Sequence, residues 1–370
     1  MKNAFKADAL DLSHGQEEKF MLGAYLGPER WSVSIRQGNK VFPLSYQVAT
    51  RCFFSPNGKI LPAEIDRPPQ MASLSLYRVL ECGSSKELEA VLPTSIGCKG
   101  AGEKLEISHG DCTYRICEML ALQLSYIKKE VRRFVGIRLS QICISVPQSY
   151  GAVQKKWLLQ AGRSLGLEVR FRPMLVSLAG GFGAGMPIEQ GHRTAICAFE
   201  ERLFHCVLVE EGPRQEKQLV ASCHVQLDQN IQIVAQILDY WLAINNIAPK
   251  EAAKDSSFRH QMETVAWKVI RRIQEEYSFK ETLQKRYNCQ LSIERFHIFL
   301  QAIAPQITQC FEGLLHKALN PAVNRLIVTG PLAHIRYLQQ QVEKCLSHTA
   351  IQAGDYQQLY ASGATIGPAI

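Results

Sequence analysis

Residues Ile142–Gly181 read ICISVPQSYGAVQKKWLLQAGRSLGLEVRFRPMLVSLAGG. Ile142, Ile144 and Val146 alternate as in a buried strand, and Pro147, which cannot donate to a ladder, closes it. An amphipathic helix follows, then a short strand over Glu168–Phe171. Strand, helix and strand in this order predict an α/β fold.

Working outward, Met21–Ala24 and Trp31–Ile35 form a hairpin joined through Leu26–Arg30 (LGPER). A second hairpin turns at Gln37–Lys40, and a third at Ser55-Pro56-Asn57-Gly58, where Asn-Gly is a strong turn signal. Cys112–Phe134 reads as one long helix with Ile116, Leu120, Leu124, Ile127 and Val131 on its apolar face. Downstream, strands are expected at Thr194–Cys197, Leu203–Val209 and Gln218–Cys223. Helices follow at 230–244, 257–277 and 293–317, then strand Arg325–Val328 and a helix over Leu332–Leu346. Strands followed by helices, occurring twice, is the layout of a duplicated fold with two lobes around a cleft. No repeat is visible in residue identity.

The chain has 370 residues, 46% hydrophobic and 21% charged, which suits a globular protein with ample core. No apolar run reaches the ~18 residues of a membrane helix. The first twenty residues, MKNAFKADALDLSHGQEEKF, carry early acids and no apolar segment, so they read as a leader without secretory character. Twelve cysteines occur, yet Cys143, Cys197 and Cys206 fall in apolar strand-like runs where cysteine acts as a small hydrophobe. With no C-x-x-C or H-x-x-x-H, neither zinc nor a disulfide framework is expected, and a reducing cytoplasm is. The net charge of +8 is densest at Lys128–Arg138 (KKEVRRFVGIR). Lys128, Lys129, Arg132 and Arg133 read as a solvated helix face, with nucleic acid or an anionic surface as the sharper alternative.

Two motifs in the opening stretch, VPQSY and AGRSLGLEV, carry a family likeness. They resemble the V-P-x-x-[FY] turn and the A-G-x-x-x-G-L-E-V helix end of the ATPase domain in heat-shock 70 kDa chaperones of the DnaK type. The likeness extends in order from about Met21 to the C-terminus. GAYLGPERWSVSI sits at the family's first phosphate hairpin and AICAFEERLFHCVLVEEG at the second; NRLIVTGPLAHIRYLQQQV resembles the adenosine-site unit. The resemblance implies a two-lobed actin-like fold with a duplicated sheet-and-helix core around a central cleft. Residues 1–20 would be a leader, 21–175 the first lobe, and 176–370 the second, with a helical subdomain near 230–290. It also implies that no peptide-binding β-domain follows, so a complete foldase cycle is not expected in one polypeptide.

In that family, glycine-rich turns present N–H groups to phosphate, and aspartates hold hydrated magnesium. Here the first hairpin has Tyr25 at the aspartate position and Pro28 and Glu29 at the threonines. In the second, Ala198 replaces the aspartate, and Glu200, Glu201 and Arg202 replace the glycines. A carboxylate 4–6 Å from a phosphate would repel it by roughly 2–4 kcal/mol at an effective dielectric near 20. Arg172 stands at the catalytic carboxylate, and Pro69–Leu80 lacks the catalytic lysine. On the adenosine side, Arg271 and Arg272 keep the basic character of the stacking helix, and Gly330 keeps the turn. These positions imply a pseudo-ATPase without metal or cofactor, acting as a scaffold, adaptor or assembly factor through protein contacts. The alternative is a divergent ATPase that binds ATP or ADP through Arg271, Arg272 and Gly330. Glu200, Glu201, Arg202 and Arg272 would staple the cleft by salt bridges. Gly180–Gly185 (GGFGAG) is expected to be a flexible connection, and His205 to face solvent or the cleft.

Overall fold

Two antiparallel turns fold the front of the chain into a meander. β1 (Met21–Leu26) pairs with β2 (Arg30–Gln37), Met21 opposite Arg36, and β2 pairs with β3 (Lys40–Pro43), Gln37 opposite Lys40. The computed structural model describes residues 20–366 except 28–29, 39, 45–47, 62–71, 83–87, 90–91, 93–94, 137, 148–149, 186–190, 201–202, 213–216, 228–231, 255, 277, 320, 347–349 and 353–355. Helix α1 (Ile116–Val135) leads to β4 (Gln141–Val146), which lies parallel to β1 with Ala24 opposite Ile144. Helix α2 (Ala152–Ser164) then crosses to β5 (Glu168–Pro173), parallel to β4, and α3 (Met174–Gly185) follows. The sheet runs β5-β4-β1-β2-β3, with the short strand Val48–Ala49 also on β2.

The same grammar returns downstream. β6 (Arg193–Phe199), β7 (Leu203–Glu211) and β8 (Lys217–Gln226) form a second antiparallel meander. Helices α4 (Ile233–Ile244) and α5 (Ser256–Glu276) come next, then a hairpin of Ser278–Leu283 with Tyr287–Ser292, and the long α6 (Ile293–Lys317). β9 (Arg325–Thr329) returns parallel to β6. Helix α7 (Arg336–Leu346) leads to β10 (Ala350–Gln352), parallel to β9, and α8 (Tyr356–Ala364) follows. The sheet runs β8-β7-β6-β9-β10. Strand order and sense repeat those of the first sheet, so the duplication absent from residue identity is present in topology. The protein is of mixed α/β class.

The chain divides into two units, Met1–Met186 with Gln357–Ile370, and Pro187–Tyr356. Residues 176–186 and 357–370 fall in the first of these units. The cause is a close glycine contact between α3 and α8. A Cβ added at Gly181 would lie 1.9 Å from the Leu359 carbonyl oxygen, and one at Gly363 would lie 1.7 Å from that of Ser177. The same packing makes Gly180–Gly185 part of a helix and not a flexible connection.

Each unit has its own apolar core. In the first, the α1 stripe Leu120, Leu124, Ile127 and Val131 is buried as its spacing predicts. Trp31 Nε1 donates to Gln123 Oε1 at 2.7 Å, and Gln123 Nε2 donates to the Ala49 carbonyl at 3.1 Å. Two helices start four residues later than expected. Cys112–Arg115 is a strand paired with Glu106–His109, because the Glu118 carboxylate accepts the Arg115 N–H at 2.9 Å and starts α1 at Ile116. Residues 331–334 form a turn, in which Ala333 N–H donates to Gly330 O at 3.1 Å, and α7 begins at Arg336.

Candidate functional site

In the first unit, β1 and β5 carry the residues that stand where the resemblance places carboxylates. Tyr25 is fully buried, opposite Ser32 on β2 and Ser145 on β4. Its ring lies 4.7 Å from that of Tyr360 on α8. Arg172 is also buried, and its Nη1 donates to the Gly363 carbonyl at 2.7 Å. Burial lowers the Arg172 pKa from its ordinary value. Around this pair α8 is fastened to β2. Ser34 and Ser362 hydroxyls meet at 2.9 Å, and Gln358 Nε2 donates to Ser34 Oγ at 2.6 Å and Val33 O at 3.1 Å. Gly23 makes room for the helix, since a Cβ there would lie 2.1 Å from Ala361 O. Tyr25 and Arg172 thus converge on one helix and are taken up by its packing. Pro28 and Glu29 lie outside the described residues.

In the second unit, Ala198 is fully buried between His205 on β7 and Thr329 on β9. Glu200 is buried at the following turn, its N–H donating to Leu203 O at 3.0 Å. Glu201 and Arg202 lie outside the described residues. Gly330 closes β9 with φ +101°, and a Cβ there would meet Phe199 O at 2.4 Å, so both backbone and space require glycine. The adjacent Thr329 hydroxyl is fully buried and has no hydrogen-bond partner among the described residues. Ala198 and Gly330 are therefore neighbours across the β6/β9 ladder. The turn after Gly330 touches α5, where the His334 ring nitrogen lies 3.0 Å from the Ile270 carbonyl oxygen. Arg271 and Arg272 follow on α5 with exposed side chains. Arg272 pairs with Glu276 one turn on.

The basic stretch on α1 divides by position. Lys129, Arg132 and Arg133 are exposed, whereas Lys128 donates to the Leu165 carbonyl at 2.7 Å and caps the end of α2. Arg133 lies 3.8 Å from Glu130.

His205, expected at a solvent or cleft face, is buried in β7 opposite His224. Successive residues of β7 are buried on both of its faces, so alternation along it does not separate inside from outside. Burial, reinforced by the His224 charge, drives the His205 pKa down to about 3. All twelve cysteines are free thiols. Among the described residues no group of His, Cys, Asp or Glu has metal-binding geometry, and no helix is long and apolar enough to cross a membrane.

No protein-family model matches this chain, and no curated protein is significantly similar to it. The case for its function therefore rests on its own residues. Sequence reasoning singled out Tyr25 and Arg172 but missed Tyr360 and Gly363, the groups that engage them. The small residues of Leu359–Ala364 (LYASGA) were the available signal, since they permit close helix packing.

Proposed function

We propose that this chain is a two-lobed, actin-like pseudo-ATPase, a cytoplasmic scaffold, adaptor or assembly factor that acts through protein contacts. The observation that carries the reading is the packing of Tyr25 on Tyr360 and of Arg172 on Gly363. Where the resemblance expects an aspartate beside the phosphate hairpin and a catalytic carboxylate, both residues instead seat helix α8. A magnesium–phosphate group has no carboxylate to meet at either place. The repeated strand order of the two sheets supports the actin-like part of the proposal. Calorimetric titration with magnesium-ATP, paired with a phosphate-release assay, tests it. Neither micromolar binding nor turnover above background is expected, and micromolar binding would overturn the proposal.

A second reading is favoured by one place in the second unit. The Gly330 turn, the unpartnered Thr329 hydroxyl and the α5 segment carrying Arg271 and Arg272 adjoin one another through His334. They would hold a base and ribose without phosphate contacts. On this reading adenosine alone binds as well as ATP, independently of magnesium, and R271A/R272A abolishes that binding. Absence of any adenosine binding at millimolar concentration removes it.

A further inference from the structure

The second unit carries a row of cysteines that nothing in the proposed function uses. Register places Cys197 on β6 opposite Cys206 on β7, and Cys206 opposite Cys223 on β8. Residues directly opposite on antiparallel strands share a face, so the three line one band across the sheet. Helix α6 lies over that band and brings a fourth thiol to it. Cys310 Sγ is 3.9 Å from Cys206 Sγ, and Cys206 Sγ is 3.7 Å from the Cys223 carbonyl oxygen. Gly313 on the same helix faces Cys223, whose Sγ would lie in ordinary contact, 3.6 Å, with a Cβ placed there. Two turns beyond Cys310, Lys317 Nζ reaches 3.9 Å from Cys223 Sγ and 3.4 Å from the Ser222 carbonyl oxygen.

The thiolate is the reactive form of cysteine, and nearby donors and cations favour it. The Cys206 S–H is the main influence lowering the Cys310 pKa, with Cys223 and the Lys317 ammonium adding to it against burial. Burial raises Cys197, Cys206 and Cys223. Among these thiols Cys310, the sulfur with thiols on either side, is the one whose ionisation its surroundings favour. Accessibility is graded in the useful direction. Cys206 is sealed, Cys310 is 6% exposed, and Cys223 is half-buried beside Lys317.

We propose that Cys310 is an oxidation site for hydroperoxides, resolved as a disulfide to Cys206 or Cys223. The Cys310 thiolate attacks the terminal peroxide oxygen. The O–O bond breaks, and the alkoxide leaves and takes a proton, giving an alcohol and a sulfenic acid. The neighbouring thiol, giving up its proton, then attacks the sulfenic sulfur. An S–S bond forms, the S–O bond breaks, and hydroxide leaves as water with the proton the neighbour gave up. Two thiols lose two electrons in total, and one hydroperoxide becomes alcohol and water. The product ties α6 covalently to the sheet beneath it.

The test uses the full chain treated with one equivalent of tert-butyl hydroperoxide, then alkylated, digested and mapped by mass spectrometry. The expected result is loss of two alkylatable thiols, one dithiothreitol-sensitive cross-linked peptide containing Cys310, and no such peptide in C310S. Oxidation confined to the half-buried Cys82, Cys98 or Cys112 while Cys310 remains alkylatable would overturn the proposal. The map of the unmutated protein decides the matter even if C310S does not fold.

Discussion

The rings of Tyr25 and Tyr360 meet 4.7 Å apart, centroid to centroid, both fully buried, and join the first strand to the last helix. Buried aromatic pairs contribute about 0.5–1.5 kcal/mol beyond the area they cover. Tyr360→Ala is expected to lower unfolding free energy by about 3–5 kcal/mol in urea melts. Tyr25→Asp, which restores the carboxylate of the resembled family, is expected to destabilise the chain without producing ATP turnover, because the charge would be buried. Turnover in that variant would show that Tyr25 is a simple loss-of-function change in a site otherwise intact.

Gly363→Ala places a methyl group 1.7 Å from the Ser177 carbonyl oxygen, where backbone and not a flexible side chain must yield. Overpacking of this kind costs about 1–3 kcal/mol. The expected readout is a lower thermal midpoint. The same substitution at Gly38, with nothing within 4 Å of its Cβ position but φ +57°, should cost only the smaller backbone strain.

Gln123 satisfies the buried Trp31 indole and the Ala49 carbonyl together. Gln123→Leu leaves both groups unpaired in an apolar interior. Each orphan costs about 1–3 kcal/mol, so a loss near the upper end is expected by urea denaturation. Gln123→Glu keeps the acceptor for Trp31 and should lose the bonds from Nε2 to Ala49 O and Cys52 Sγ, at the further expense of a buried charge.

His205 gives the second unit a definite acid response. Its folded pKa of about 3 lies below the ordinary 6.5, so above pH 6.5 folded and unfolded states are both neutral and the residue adds no slope. Between those values the unfolded chain takes up a proton that the folded one refuses. Stability then falls as pH falls, by up to about 1.4 kcal/mol per unit. From pH 7 to pH 5 the His205 share amounts to about 2 kcal/mol. Urea melts at the two pH values should show a correspondingly smaller drop for His205→Asn than for the parent. Equal drops would mean His205 is protonated in the folded protein.

Local chemistry made part of this legible. Pro147 and the alternation before it marked β4, the Asn57-Gly58 turn marked its hairpin, and the α1 stripe fell where its period placed it. The start of α1 was missed because Arg115 is not a capping residue type, and the bond from Glu118 back to its N–H carries no sequence mark of its own. His205 was misplaced because alternation reports inside and outside only for a sheet with one wet face. Tyr25 and Arg172 could be singled out by pattern. Their partners Tyr360 and Gly363 could not, since a contact between the first strand and the last helix is set by the whole fold. Likewise each cysteine of the thiol cluster reads singly as a small hydrophobe; only strand register and the seat of α6 bring them together.

The first unit is interrupted by the second, and this sets an order of events as the chain is made. Residues 187–356 are contiguous and hold a complete core. The sheet containing Tyr25 lacks its helix until Tyr360 has been synthesised. At ~5–20 residues per second, the intervening segment takes roughly 10–30 s to emerge. For that interval the glycine-lined bed at Gly23 and Gly181 stands uncovered on the nascent chain. The half translated first is the half that finishes folding last.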